Sequence, residues 1–183
     1  MIQFNTIKWK NFLSTGNAWT EVKLDHSPST LVVGENGSGK STLLDALTFA
    51  LFNKPFRTVS KPQLINTING KNCLVEISFS IGTKNYTIKR GLQPRVFDIT
   101  INGDLLDKNA NIRDFQKYLE ENILKLNYKS FTQIVMLGSA SFTPFMQLHL
   151  GARREIIEDI LDISIFTSMN AVLKSKLTQF LFH

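Results

Sequence analysis

Residues Gly34 to Ser41 read GENGSGKS, and this stretch decides the fold. It fits the phosphate-binding pattern GxxxxGKS, with Gly39 and Lys40 in register. Glycines in such a loop allow turns that aim backbone N–H groups inward, and the following helix N-terminus adds positive potential. The stretch therefore predicts a site for the phosphates of a nucleotide.

The pattern also assigns roles to single residues. Lys40 is expected against the β- and γ-phosphates, and the Ser41 hydroxyl is expected to bind Mg²⁺. Backbone N–H groups of the loop and the first helical turn supply the remaining donors. The predicted nucleotide-binding residues are Asn36, Gly37, Ser38, Gly39, Lys40, Ser41 and Thr42.

The flanking residues give the loop its structural setting. Upstream, Thr30 to Val33 is a β-branched apolar run that predicts a buried strand ending at Gly34. Downstream, apolar residues recur at helical spacing over 43–51, and Asn53 and Pro55 end the predicted helix. Strand, loop and helix together distinguish a P-loop from an ordinary glycine-rich turn.

Composition limits the class of protein. A chain of 183 residues with 43% hydrophobic and 20% charged residues can form one sizeable core. No apolar run approaches the roughly 18 residues of a membrane span, and the N-terminus lacks a signal-peptide layout, so we expect a cytoplasmic protein without a membrane partner. The single cysteine, Cys73, excludes an intramolecular disulfide.

The net charge of +6 favours an acidic partner, either nucleic acid or an acidic protein chain. The densest basic group is Lys84, Lys89, Arg90 and Arg95. Two interpretations remain open for it: a contact with DNA, or a solvated face of a sheet.

The rest of the chain predicts an antiparallel meander and further helices. Alternation of apolar and polar residues, with Asn102-Gly103 as a hairpin signal, indicates antiparallel pairing in the middle section. Residues 56–71 are polar and predict an excursion over the surface. Predicted strands cover 1–12, 19–24, 30–33, 73–81, 86–90, 96–101 and 132–137, and predicted helices cover 42–52 and 111–126.

The last forty residues are helical in pattern. Ile156, Ile157, Ile160 and Leu161 line one face, with Arg154 and Glu158 four residues apart on the other. Further on, Phe166, Met169, Leu173, Leu177 and Phe180 recur at a spacing near 3.5 residues. This second pattern either begins a coiled coil or forms a terminal helix packed on the core.

Hydrolysis of a bound nucleotide normally needs a carboxylate at the end of an apolar strand to hold Mg²⁺. Asp98 follows only Val96 and Phe97, and Glu158 and Asp159 continue a helical pattern. Residues 137–141, LGSAS, lack the paired glycines of an ABC signature. We therefore expect no catalytic residue within this chain, which carries half of an ATPase site.

With these residues located, the chain resembles the SMC/SbcC-type ATPases. The resemblance rests on GENGSGKSTLLDAL and on the Lys10-Asn-Phe12 element before it. Further blocks resemble the phage branch, the ATPase subunit of the phage recombination exonuclease. They are Lys54-Pro-Phe-Arg57, Gln63-Leu-Ile-Asn66, Lys89-Arg-Gly91, Ile134-Val-Met-Leu-Gly138, Thr143-Pro-Phe-Met146 and Arg153-Arg154.

The resemblance implies an α/β P-loop NTPase fold, namely the N-terminal lobe of an ABC/SMC-type head. Residues 1–164 would form this lobe, and residues 165–183 would begin a coiled-coil helix. ATP and Mg²⁺ are the implied cofactors, bound between two heads. The implied partners are a C-terminal lobe with signature and Walker B motifs, a second head, an SbcD-type nuclease subunit and double-stranded DNA ends. The chain would then be a fragment, an engineered piece, or a split or truncated gene product, acting in the host cytoplasm if it is phage-encoded.

Two positions depart from the family pattern. Leu13 stands where many members place an arginine near the nucleotide, and Ser139 stands in the slot of the Q-loop glutamine that contacts the metal. Ser139 could bind metal through water, and Gln133 is the other candidate. Two other functions remain open: an SMC-type DNA clamp without a nuclease, and a complete small P-loop kinase or GTPase.

Overall fold

A computed structural model describes residues 2–106, 112–136, 143, 145–161 and 163–181. The chain divides into two compact units, Met1–Gln116 and Lys117–His183. The first unit contains a β-sheet and the helix that follows the P-loop, and the second unit is helical. The predicted nucleotide-binding residues 36–42 therefore lie within the first unit.

The sheet of the first unit is antiparallel at every pairing. Its strands are β1 (Ile2–Lys10), β2 (Thr20–Lys23), β3 (Cys73–Ile81), β4 (Lys84–Leu92), β5 (Val96–Ile101) and β6 (Asp104–Leu105). Their spatial order is β2-β1-β3-β4-β5-β6. The predicted meander is confirmed, and Asn102-Gly103 joins β5 to β6 with positive φ at both residues, 52° and 97°.

Helix α1 (Thr42–Phe52) packs on one face of this sheet, where it contacts β1, β3 and β4. The alternation of each strand buries one set of side chains on that face, among them Ile7, Val75, Ile77, Phe79, Ile88 and Ile99. Phe49 of α1 meets Phe12 with ring centroids 5.6 Å apart. Burial of each such side chain stabilises the fold by about 1.5–3 kcal/mol, so α1 is held firmly on the sheet.

The C-terminal end of α1 is fixed by a buried arginine. Arg90 of β4 is 3% exposed, and its Nε donates to the Ala50 carbonyl at 2.9 Å. Its guanidinium carbon lies 3.8 Å from the centre of the Phe97 ring. Arg90 Nη2 donates to Gln116 Oε1 at 2.6 Å, and Gln116 Nε2 donates to the Leu51 carbonyl at 3.0 Å. The last carbonyls of a helix carry partial negative charge and lack partners within it, so Arg90 satisfies the Ala50 carbonyl and Gln116 satisfies the Leu51 carbonyl.

The prediction of a buried strand over Thr30 to Val33 is wrong. These residues belong to no strand, and Leu31, Val32 and Val33 are 86%, 49% and 78% exposed. A strand is stabilised by side-chain pairs and hydrogen bonds with a neighbour. Within the described residues, none of the sheet strands pairs with this segment. The apolar pattern is typical of a buried segment, but the side chains of this segment are exposed in the described structure.

Helices beyond the sheet correct two more predictions. The described part of the predicted helix over 111–126 forms α2 (Ile112–Tyr118) and a π-helical segment, Leu119–Leu124, instead of one regular helix. The predicted strand over 132–137 is wrong for its described residues, because they continue or follow α3 (Tyr128–Ile134). The Asn127 side chain accepts a hydrogen bond from Ser130 N at 2.9 Å, and this cap starts α3.

The chain continues as α4 (Leu150–Ile160) and α5 (Ser164–Leu181). Of the predicted apolar face on α4, Ile156 is buried, while Ile157, Ile160 and Leu161 are exposed. The predicted Arg154–Glu158 pair is confirmed at 2.6 Å. The α5 side chains of Phe166, Met169, Leu173 and Leu177 are exposed. None of the helices described is long and apolar enough to cross a membrane.

Candidate nucleotide site

The loop between Gly34 and Ser41 takes its shape from two glycine conformations. Gly37 and Gly39 have φ values of 87° and 97°, a region that strains other residues. The Thr42 N–H then donates to the Gly39 carbonyl at 2.9 Å. The loop therefore turns into α1 where the sequence pattern predicts it.

Backbone N–H groups are the main anion-binding groups of this loop. In the part of the chain that the structure describes, those of Asn36, Gly37, Gly39 and Lys40 donate to no protein acceptor. They lie beside the N-terminus of α1, where the helix dipole contributes roughly half a positive charge. Free donors at a helix N-terminus are the arrangement that binds phosphate.

Two side chains complete the loop. Lys40 Nζ donates to the carbonyl oxygens of Gly34 at 2.5 Å and Glu35 at 2.7 Å, so the ammonium is held within the loop. Ser41 is exposed, and its hydroxyl makes no capping hydrogen bond to α1. A hydroxyl without a structural partner can serve as a Mg²⁺ ligand, as the pattern predicts.

A cleft of about 530 Å³ opens at the loop, within the size range of small-molecule sites. Six of the predicted nucleotide-binding residues line it, and Ser38 does not. The six are Asn36, Gly37, Gly39, Lys40, Ser41 and Thr42. Size, free N–H groups, a lysine and an unused hydroxyl fit ATP with Mg²⁺.

Arg57 brings a second cation to the cleft, and the sequence alone did not assign it a role. The Asp45 carboxylate on α1 is fully buried and accepts from Arg57 N at 2.9 Å and from Arg57 Nε at 2.7 Å. Arg57 Nη2 lies 2.5 Å from Asp45 Oδ2. Two nitrogens of the guanidinium group thus share one carboxylate oxygen, and the backbone N–H of Arg57 binds the other, so the contact orients the group. Both Asp45 oxygens are engaged, so this carboxylate is not a free magnesium ligand.

The remaining lining is uncharged and comes from two loops. Leu13 and Ser14 follow β1, and Gln63, Ile65 and Thr67 lie on or after the 3₁₀ turn Lys61–Leu64. The expectation that residues 56–71 only cross the surface is therefore wrong in part, because Leu64 and Asn66 are buried.

The other predicted site residues contribute less. Ser139 lies outside the described residues. Gln133 lies on α3, and its Oε1 is buried without a hydrogen-bond partner among the described residues. Cys73 is buried in β3, and burial raises the pKa of its thiol to about 12, so it is an inert core residue.

The four basic residues considered for DNA contact do not form one surface. Arg90 is buried beneath α1, so the interpretation that this residue contacts DNA is wrong. Lys84 begins β4 and Arg95 follows it, which separates them by about 30 Å along the strand. Lys89 stands in register between Glu76 and Asp98, so acidic neighbours compensate its charge.

Local sequence signals do not reveal the contribution of Arg57 or of the two uncharged loops. Asp45 and Arg57 are twelve residues apart, and no spacing rule joins a helical carboxylate to an arginine beyond the helix. Arg57 and Gln63 do occur in the KPFR and QLIN blocks quoted above. Those blocks are a sequence signal for the two loops, but their pattern does not indicate a role for either residue.

Comparison with known proteins gives sequence relatives over nearly the whole chain. The AAA domain family model matches residues 6–176. "Exonuclease subunit 2" of Enterobacteria phage T4 is 46% identical, over 94% of this chain and 31% of the relative. The protein of that name from Escherichia phage RB69 is 44% identical, over 97% and 31%. A "DNA double-strand break repair Rad50 ATPase" of Thermoplasma volcanium is 26% identical, over 92% and 19%. The chain thus spans about a third of the length of the phage relatives.

Solved structures show the same fold. A chain from "Structural biochemistry of ATP-driven dimerization and DNA stimulated activation of SMC ATPases" has a TM-score of 0.59 at 21% identity, over 86% of this chain and 99% of that one. The Smc head domain of Pyrococcus furiosus, with an extended coiled coil and bound to the C-terminal domain of ScpA, has a TM-score of 0.58 at 19% identity, over 98% and 46%. These likenesses confirm the predicted α/β head fold.

Proposed function

Because the chain belongs to the AAA domain family, we propose that it is the ATP-binding N-terminal lobe of a DNA recombination and repair exonuclease ATPase. The observation that carries this proposal is the cleft at the P-loop, with its free N–H groups and Lys40. The sequence comparison supports the exonuclease assignment, since the chain is 46% identical to a phage exonuclease subunit.

Within this function, the loop holds the triphosphate of ATP. The N–H groups of residues 36–42 and the Lys40 ammonium contact phosphate oxygens, and the Ser41 hydroxyl takes one ligand position on Mg²⁺. Arg57 adds a fixed positive charge, oriented by Asp45. Bound ATP supplies the phosphate bond whose hydrolysis is coupled to nuclease activity.

Hydrolysis needs groups from another segment. The described lining of the cleft contains no aspartate or glutamate, and Asp45 is paired with Arg57. We therefore assign the catalytic carboxylate to a C-terminal lobe that carries Walker B and signature motifs. This lobe and a second head would close the site over ATP. Ser139 remains a candidate metal ligand.

Two apolar surfaces suit the packing of such a C-terminal lobe. One is the exposed segment Leu31 to Val33. The other is a groove of about 400 Å³ in the first unit, lined mainly by apolar side chains: Phe4, Ile7, Leu24, Leu43, Leu44 and Leu47. Since the chain spans 31% of its phage relatives, the remainder of such a polypeptide is long enough to supply the covering surface. Strand pairing at Leu31 to Val33 would restore the strand that its sequence predicts.

The remaining partners follow from the same assignment. Residues 1–164 form the lobe, and residues 165–183 begin the coiled coil, with the exposed apolar face of α5 covered by the returning helix. An SbcD-type nuclease subunit docks near the base of the coil, and double-stranded DNA ends are the substrate. A phage-encoded complex of this kind acts in the host cytoplasm.

Calorimetric titration of the purified chain with MgATP tests the nucleotide site. We expect weak binding that is lost in Lys40→Ala, and negligible phosphate release from either protein. Turnover by the chain alone that disappears in Lys40→Ala would overturn the half-site assignment. Preference for GTP, or phosphate transfer to a small acceptor, would indicate a complete GTPase or kinase.

The nuclease partnership needs a separate experiment. Copurification of a metallonuclease with the tagged ATPase supports the exonuclease function. Topological loading onto circular DNA without any nuclease would instead indicate an SMC-type clamp.

A further inference from the structure

Buried asparagine side chains join the two uncharged loops of the cleft. Asn11 follows β1 and is 2% exposed, and Asn66 follows the 3₁₀ turn and is 6% exposed. With Asn69, which bonds to both, we call them the asparagine cluster. Burying an amide is unfavourable unless its donors and acceptors are satisfied, so the hydrogen bonds of this cluster indicate what it holds in place.

Asn66 satisfies both ends of its amide. Nδ2 donates to the carbonyl oxygens of Leu13 and Thr15, each at 3.2 Å. Oδ1 accepts from the backbone N–H groups of Ile68 and Asn69, each at 3.0 Å. The amide nitrogen of Asn66 therefore binds the loop after β1, and its amide oxygen binds the loop after the 3₁₀ turn. A carboxylate of the same size lacks the donors, and an aliphatic side chain lacks both.

Asn11 ties the same loops from the other side. Its Oδ1 accepts from Asn69 Nδ2 at 2.7 Å, and its Nδ2 donates to Asn17 Oδ1 at 3.0 Å and to the Asn72 carbonyl at 3.2 Å. The Asn11 backbone carbonyl accepts from Asn66 N at 2.9 Å. The cluster is therefore a continuous network of hydrogen bonds and not a single contact.

This network fixes two residues that line the cleft, Leu13 and Ile65. Leu13 N donates to the Leu64 carbonyl at 2.7 Å, and Ile65 forms an isolated β-bridge with Phe12. Leu13 has a φ of 53°, a left-handed conformation that is sterically unfavourable for leucine. Such a conformation persists only where the surrounding bonds hold it.

The chemistry of the lining divides the cleft into two parts. Lys40, Arg57 and the free N–H groups suit the phosphates of a nucleotide. Leu13 and Ile65 carry no charge and offer apolar surface, which suits a base or a sugar. We propose that Asn66 is a positioning residue that holds Leu13 and Ile65 as a wall for the nucleoside end of the nucleotide. This inference rests on the proposed ATP-binding function.

Two ligands separate the two parts of the cleft in an experiment. ATP occupies both parts, whereas inorganic tripolyphosphate has no nucleoside and can occupy the phosphate part alone. In Asn66→Asp, an acceptor replaces the donor that faces the Leu13 and Thr15 carbonyls, so the wall loses its support. Calorimetry in the presence of Mg²⁺ should show ATP affinity reduced about tenfold or more and tripolyphosphate affinity within about twofold of wild type.

Asn85→Asp is the matched control, because Asn85 is exposed on β4 and the amide-to-acid change is the same. We expect it to bind both ligands as the wild type does. Equal losses for ATP and tripolyphosphate in Asn66→Asp, or no loss for either, would overturn the positioning role. A wild-type chain that binds neither ligand would instead remove the proposed function itself.

Hydrogen exchange of the wild-type chain tests the same idea if Asn66→Asp does not fold. ATP should protect the amides of residues 13–15 and 65–67 as well as those of the P-loop. Tripolyphosphate should protect the P-loop amides alone. Equal protection patterns for the two ligands would show that no nucleoside contacts the wall.

Discussion

The two ends of α1 differ in how their backbone groups are satisfied. At the C-terminal end, Arg90 and Gln116 donate to the Ala50 and Leu51 carbonyls and are themselves packed in the first unit. At the N-terminal end, N–H groups of the P-loop donate to no described acceptor and face a cleft. The backbone carbonyls at the C-terminal end are thus satisfied within the protein and contribute to stability. The backbone N–H groups at the N-terminal end remain available for a ligand. Mutations at the C-terminal end of α1 should therefore mainly lower stability, and mutations at the N-terminal end should mainly weaken ligand binding.

Arg90→Met should have the largest effect, and that effect should fall on stability. It keeps an unbranched apolar chain but leaves the Ala50 carbonyl and Gln116 without their buried partner. The free energy of unfolding should fall by about 3 kcal/mol, measured by urea denaturation. MgATP affinity of the folded variant should stay within about twofold of wild type. An affinity loss as large as the stability loss would show that the two ends are coupled.

Lys40→Ala is the converse change at the N-terminal end. Among the described residues, the ammonium bonds only to loop carbonyls that are exposed to solvent. MgATP affinity should fall roughly 100-fold, or about 2.7 kcal/mol, while the free energy of unfolding changes by less than about 0.5 kcal/mol. Titration and urea denaturation of the same preparation check both numbers. Marked destabilisation would contradict the division between the ends.

Asp45→Asn should show an intermediate effect on both properties. Asp45 lies in the first turn of α1, where a negative charge is favourable, and it orients Arg57. We expect a loss of about 1–2 kcal/mol in stability and a loss of about threefold to tenfold in MgATP affinity. In an Arg57→Ala background the same change should weaken MgATP binding much less. Additive losses of affinity would mean that Asp45 does not act through Arg57.

Glu76→Gln should have the smallest effect, because it touches neither end of α1. Glu76 pairs with Lys8 at 2.8 Å on the solvent-facing side of the sheet, where both side chains are partly exposed. Such pairs contribute about 1 kcal/mol or less. Urea denaturation should register that change, and MgATP titration should register none. A larger loss of stability would show that this pair supports the sheet register.

The sequence predicts α1, the glycine loop and the antiparallel meander well, because each depends on local pattern. Glycine spacing, helical periodicity over Leu43 to Leu51 and the Asn102-Gly103 turn all act within a few residues. Six of the P-loop residues named from the pattern also line the cleft.

The errors arise where structure depends on distant partners. Thr30 to Val33 has a strand pattern but no strand beside it among the described residues. Arg90 looks like a surface cation in a basic cluster, whereas it caps a helix formed forty residues earlier. Asn66 has a turn-like neighbourhood, but its contacts reach residues more than fifty positions away. Short windows of sequence contain none of this information.

The exposed segment Leu31 to Val33 has a practical consequence for handling the protein. Three adjacent apolar residues, two of them β-branched, can associate with the same segment of another molecule. Preparations of the chain by itself should therefore aggregate as concentration rises, and Val32→Lys should delay this aggregation without disturbing α1. Production together with a covering polypeptide would protect the segment by occupying it.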